Sequence, residues 1–177
     1  DDAEKERAIG ERSGRPMYKL MNDAAVMMKS MDSSHPVAIC NGDVLFLDII
    51  ADECKDVDIY GTNAYRGESF GDMFKVVKQT FNKPIMFTEF GSDAYNAIKN
   101  QEDQKMQAYY MVKNWKEIYE NAAGLGKANN SIGGFTFQFS DGWWKAGFDD
   151  RKDADTHQTE STWNAGGYTI DEAFPGA

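Results

Sequence analysis

Basic charge is scarce in this chain. Nineteen Lys and Arg stand against 29 Asp and Glu, a formal net charge of −10, and no run of Lys and Arg forms a local basic stripe. Such a surface repels a phosphate backbone, so nucleic acid is not expected as a partner. Neutral ligands such as unsubstituted sugars carry no charge for it to oppose, although acidity alone is more often a solubility feature than a functional one. Cysteine is equally sparse. The two present, Cys40 and Cys54, have a spacing that matches no zinc or redox motif; both are expected as buried thiols and neither fixes a compartment. No apolar run approaches the ~18 residues of a membrane span, and the charged stretch Asp1 to Arg7 does not look like a signal peptide. A soluble protein with no membrane partner is expected, and a secreted or periplasmic location stays open. Gly-rich phosphate fingerprints are missing from the predicted strand-to-helix turns, which disfavours nucleotide binding; no cofactor and no metal are expected.

What is present is the composition of a folded domain. The 177 residues are 41% hydrophobic and 27% charged, close to soluble globular averages, and long enough for one domain with a real core. Residues 17 to 31 place Met17, Leu20, Met21, Ala24, Ala25, Met28 and Met31 at three- and four-residue intervals, which predicts a helix with a methionine-rich core face. Asp32-Ser33-Ser34 ends it, and His35-Pro36 leads into a short buried strand over Val37 to Cys40. A helix over Val44 to Cys54 and a strand over Val57 to Asn63 follow. The unit then repeats: helix Phe70 to Thr80, strand Ile85 to Glu89, helix Gln101 to Ala122, strand Ile132 to Phe139.

Strands alternating with helices predict an α/β fold with a parallel sheet. One domain over residues 1–177 is expected, with 146–177 a long loop or C-terminal extension. Asp149 to Thr162 is polar and charged there, while Trp163 to Tyr168 and Phe174 are candidate anchors.

In parallel α/β barrels the functional groups gather at the C-terminal ends of strands, and here all four predicted ends are polar. They read Asn41-Gly42-Asp43, then Gly61-Thr62-Asn63-Ala64-Tyr65-Arg66-Gly67, then Thr88-Glu89-Phe90-Gly91, then Gln138 through Lys145. Glu89 is the sharpest candidate, because it closes the apolar run Pro84-Ile85-Met86-Phe87, where a carboxylate is costly without a partner or a task. Tyr65 is a candidate hydroxyl donor to it from the neighbouring strand. Trp143 and Trp144 offer flat indole faces that stack on the apolar side of a pyranose ring. Asn63, Arg66, Asp141 and Lys145 are candidate hydrogen-bonding partners for sugar hydroxyls.

The run His35-Pro36-Val37, the segments Asp58 to Gly67 and Lys83 to Gly91, and Gly133-Gly134-Phe135 through Trp143-Trp144 resemble strands five to eight of the clan A glycoside hydrolases. The closest likeness is to the barrel of glycoside hydrolase family 2, which includes β-galactosidases and β-glucuronidases. The resemblance covers about residues 15 to 145 and is more specific to the clan than to the family. It implies a parallel (β/α) half-barrel, strands five to eight of a TIM-barrel glycosidase. It also implies a retaining mechanism on β-linked sugars, with Glu89 as nucleophile, Tyr65 orienting it, and Trp143 or Trp144 flooring the sugar site.

The chain departs from the clan at strand four, which there ends in Asn-Glu and supplies the general acid and base. No such pair precedes the first predicted helix. Glu4, Glu6 and Glu11, which lie in the approach to that helix, are expected on a solvated charged face. The acid and base is therefore expected from a missing N-terminal half-barrel, with a homo-oligomer as the other way of covering the open sheet. Two further readings stand beside this one: a non-catalytic carbohydrate-binding or assembly module derived from such a barrel, and a parallel α/β protein in which Glu89 serves structure.

Overall fold

The computed structural model describes residues 2–92, 95–96, 101–139, 164–165 and 168–169. Its elements run α1 (Asp2–Ile9), a π-helical turn (Gly10–Gly14), α2 (Arg15–Met31), β1 (Ala38–Gly42), α3 (Leu47–Glu53), β2 (Ile59–Asn63), α4 (Met73–Thr80) and β3 (Ile85–Phe90). Then come β4 (Tyr95–Asn96), β5 (Gln101–Glu102), α5 (Gln104–Glu120), β6 (Ser131–Thr136), β7 (Asn164–Ala165) and β8 (Tyr168–Thr169). The expected alternation is present: β1, β2, β3 and β6 form one parallel sheet in that order, while β4–β5 and β7–β8 are short antiparallel ribbons.

Alternation along the strands gives the sheet two unlike faces. Ile39, Tyr60, Ile85 and Phe87 are buried beneath the helices, whereas Ala38 and Cys40 are exposed and Met86 and Thr88 half-buried on the opposite face. The buried side is dominated by aromatic rings. Phe70, Phe74, Phe87 and Phe90 pack mostly edge to face at centroid separations of 5.5 to 6.0 Å, with Phe70 and Phe87 closer at 4.1 Å, geometry that suits the ring quadrupoles. Gly61 fixes how closely β2 and β1 lie, since a Cβ there would come within 2.1 Å of the Ile39 carbonyl oxygen.

The structure corrects the sequence reading in several places. The first helix begins well before Met17: Ile9, Gly14 and Arg15 are all right-handed helical, so the chain winds from Asp2 to Met31 with one widened turn. Pro16, near the start of α2, has no N–H to give to the turn before it, and it lies just after the widened turn. Gly10 in the widened turn admits the Phe46 ring, whose Cδ1 would lie 2.7 Å from an added Cβ.

More consequential is the face of α2. Tyr18 and Ala25 are its buried residues, and Met21 packs beside them, but Met17, Leu20, Met28 and Met31 are exposed. The methionine stripe is therefore not the core face. Cys54 is buried as expected, but Cys40 is exposed, because its position in β1 places it on the uncovered side of the sheet. The helix expected from Val44 starts at Leu47, since Asp43 and Phe46 take left-handed backbone conformations that interrupt a helix. The fourth strand ends at Thr136 rather than Phe139.

Candidate active site at the strand ends

Parallel pairing brings successive strand ends to one rim. In register, Asn63 at the end of β2 lies opposite Glu89 in β3, through an irregularity after Thr62 that advances Asn63. Just beyond β2, the Tyr65 hydroxyl donates a 2.8 Å hydrogen bond to Glu89 Oε2. Both side chains are half-buried, so the carboxylate is oriented yet reachable. No described residue donates to its Oε1.

Asn63 is oriented as well. Its Oδ1 accepts from Thr88 Oγ1 at 2.7 Å and from Cys40 Sγ at 3.2 Å, which leaves the amide hydrogens without a partner among the described residues. Asn63, Thr88 and Cys40 thus form a polar group on the uncovered face of the sheet, next to the Tyr65–Glu89 pair in sequence and register.

Arg66 is not where the sequence placed it. Its guanidinium is buried and turned into the protein, with Nε 2.7 Å from Asp43 Oδ2, Nη2 bonded to Asp43 Oδ1, and Nη1 donating to the Phe70 carbonyl at 3.0 Å. A fork so engaged has no free edge to offer a sugar hydroxyl. Asp43 in turn gathers the rim, because its carbonyl accepts from Tyr60 Oη at 2.6 Å and from Thr62 Oγ1 at 2.8 Å. Asn41 extends this network toward the helices: its Oδ1 accepts from Tyr18 Oη at 2.8 Å, and its Nδ2 donates to the Leu45 carbonyl at 2.9 Å and to Tyr60 Oη at 3.1 Å. Burial pushes the Tyr18 hydroxyl up to about 12 and raises Tyr60 further, so both phenols stay neutral donors at ordinary pH.

The loop that carries Tyr65 is held from the far side by α5. Asn114 Nδ2 donates to the Gly67 carbonyl at 3.0 Å, Glu117 accepts from Ser69 Oγ at 2.7 Å and Phe70 N at 2.8 Å, and Tyr109 Oη donates to Glu68 at 2.8 Å. Sequence reading missed Asn114 and Glu117. Asn114 falls four residues from both Tyr110 and Ile118, on the buried face of α5, and a polar residue in that stripe signals a specific partner. The Asp43–Arg66 pair had a signal too, as opposite charges beyond adjacent strand ends.

Asp141, Trp143, Trp144, Lys145 and most of the expected 146–177 extension lie outside the described residues. Glu4 is exposed, and Glu11 accepts from Arg15 Nε at 2.7 Å on the helix surface, in keeping with a solvated charged face. Among the described residues no group of three or more His, Cys, Asp or Glu could hold a metal ion, and no helix is long and apolar enough to cross a membrane. A depression lined by Lys29, Ser33, Ser34, His35, Pro36 and Asp58 belongs to the opposite rim, since these residues lead into β1 and β2. Its charges are already matched: Lys29 bonds Asp58 at 2.6 Å, and His35 Nδ1 lies 2.6 Å from Asp32.

Fold and site together define an α/β protein whose parallel sheet presents a phenol-oriented carboxylate at its C-terminal rim. No protein-family model matches the chain, and no curated protein matches it.

Proposed function

We propose that the chain is the nucleophile-bearing part of a retaining glycoside hydrolase acting on β-linked sugars, its four-stranded sheet being half of a (β/α)₈ barrel. The observation that carries this reading is the 2.8 Å hydrogen bond from Tyr65 to Glu89 at the C-terminal rim of a parallel sheet, where barrel enzymes do their chemistry. In this reading Glu89 Oε attacks the anomeric carbon and the bond to the leaving oxygen breaks, giving a glycosyl ester that water later cleaves. Tyr65 fixes which carboxylate oxygen is engaged and so aims the other at the sugar. Asn63 supplies amide donors for a hydroxyl; the stacking role is proposed for Trp143 or Trp144, and further hydroxyl contacts for Asp141 and Lys145, on the sequence alone. Arg66 has no place among the sugar ligands and serves the rim as structure.

A second carboxyl, about 5 to 5.5 Å from the first, is needed to protonate the leaving oxygen and activate water. Glu89 has no such companion assigned here, so turnover of ordinary glycosides by this chain alone is expected to be absent or weak. The test avoids that gap. A 2-deoxy-2-fluoroglycoside with a leaving group good enough to depart unprotonated requires only the nucleophile, and peptide mass spectrometry then reads where the sugar sits. Labelling of Glu89 supports the proposal. Sugar binding without labelling favours the non-catalytic carbohydrate module, and the absence of both binding and labelling leaves Glu89 a structural residue of a parallel α/β protein.

A further inference from the structure

Exposed apolar surface is distributed over this molecule in a pattern that points to a partner. The inner helices α3 and α4 leave no large apolar side chain exposed, whereas the two terminal helices of the sheet, α2 and α5, each leave several. Such clusters mark association surfaces more often than scattered single residues do.

Helical geometry places both clusters on the outward sides. At ~100° per residue, Arg15, Asn22 and Lys29 share one side of α2, where they meet Glu53, Asp56 and Asp58, on α3 and in the segment after it. Leu20, Met28 and Met31 fall on the opposite side, with Leu20 69% and Met31 81% exposed. On α5, Asn114 and Glu117 face the loop that precedes α4. Val112 and Tyr119 fall opposite them, each 68% exposed, while Trp115 beside them packs edge-on against Phe90 at a centroid separation of 5.1 Å and stays part-exposed. Each terminal helix thus has one flank packed inward and a second apolar flank turned away from the rest of the sheet.

The strands beneath end the same way. Among the described residues β1 pairs only with β2, and β6 pairs only with β3 apart from one bridge between Ala122 and Ser131. Unpaired edges flanked by apolar helix faces call for another strand with another helix over it, not for a flat surface or a lone peptide. One such object is at hand. A copy turned by half a revolution about an axis along the strands offers its β6 and α5 to the first copy's β1 and α2, and its β1 and α2 to the first copy's β6 and α5. All strands remain parallel, as in every pair of the main sheet, and the two contacts are equivalent, so the assembly closes at two copies. A stable interface removes about 800 Å² from each partner, which several large apolar side chains on each of two flanks can supply.

We infer that the chain associates with a second copy of itself, α2 of each protomer packing against α5 of the other and β1 pairing with β6 across both seams. The pairing would enclose the face that carries Cys40, Asn63 and Thr88, and it is independent of whether Glu89 is a nucleophile.

Sedimentation velocity on the full chain at micromolar concentration tests this. The expected species has twice the 19.9 kDa of one chain. Leu20→Lys/Met28→Lys and, separately, Val112→Glu change side chains that are already exposed, so each is expected to give folded monomer with unchanged helical circular dichroism. In a mixture of ¹⁴N- and ¹⁵N-labelled protein, lysine cross-linking should join Lys19 of one isotope to Lys113 or Lys116 of the other. A wild-type monomer, an open-ended series of larger species, a dimer untouched by both variants, or mixed-isotope links confined to α2 with α2 would each overturn the inference.

Discussion

Arg66 and Asp43 form a buried ion pair in which the guanidinium meets both carboxylate oxygens, Nε lying 2.7 Å from Oδ2. Because Nη1 also bonds the Phe70 carbonyl, the pair ties the end of β1 to the loop that carries Tyr65. Removing one member strands the other charge in the interior, which costs about 3–5 kcal/mol. Arg66→Ala is therefore expected to lower unfolding free energy by that order in urea titration; a loss below about 1 kcal/mol would show that the loop relaxes and admits water.

Tyr65→Phe isolates the hydroxyl from the ring. The ring packing is kept, but a hydrogen bond to a charged group is lost, worth about 1.5–3 kcal/mol, so a moderate fall in thermal stability without loss of the fold is expected. If that bond aims Glu89, the rate of labelling by an activated fluoroglycoside should fall roughly ten- to hundredfold. An unchanged rate would separate Tyr65 from the chemistry.

Much of the fold was legible because the hydrophobic period switches visibly between helix and strand. The four strands of the main sheet lie where apolar runs end in polar clusters, and the Tyr65–Glu89 contact follows from those ends sharing a rim. Burial was harder to read. The methionines of α2 have helical spacing, but spacing reports an apolar face without saying what covers it: of the expected face Ala25 is buried and Met21 partly so, and Tyr18, outside it, completes the buried side. Cys40 misled for a related reason: an apolar strand signals a sheet, while the exposure of each residue depends on which face lacks helices. Arg66 looked like a ligand because it belongs to a polar strand end, yet the buried carboxylate of Asp43, distant in sequence, captures it.

Alkali should weaken the fold. Burial raises the Tyr18 hydroxyl from its ordinary 10.0 to about 12, the buried Cys54 thiol from 9.0 to about 11, and Tyr60 upward as well. In each case the neutral form is favoured in the folded state, so the stabilisation is complete below the unfolded-state value and is lost as pH rises through the folded one. Tyr18 alone contributes on the order of 2–3 kcal/mol across this window. Urea midpoints measured from pH 8 to 12 should fall progressively above about pH 9, and Tyr18→Phe should flatten the upper part of the curve. A parallel curve for the variant would assign the loss to other groups.

Glu89→Ala gives the most direct view of the proposed chemistry. The carboxylate sits at a strand end and is half-buried, with one described side-chain partner, so its removal should leave the fold largely intact while ending covalent labelling. The space it leaves is the size of a small anion on the side of the sugar ring from which attack occurs. Azide supplied at high concentration should enter that space and displace an activated leaving group directly, which inverts the anomeric carbon once. A β-glycoside should then yield the α-glycosyl azide, whereas two successive inversions, or attack from the other face, would give the β product. Recovery of the α-azide, identified by proton NMR from its anomeric coupling, would place Glu89 on the attacking side. Labelling of the variant at wild-type rate, or azide product of β configuration, would move the nucleophile elsewhere and leave Glu89 as a structural carboxylate held by Tyr65.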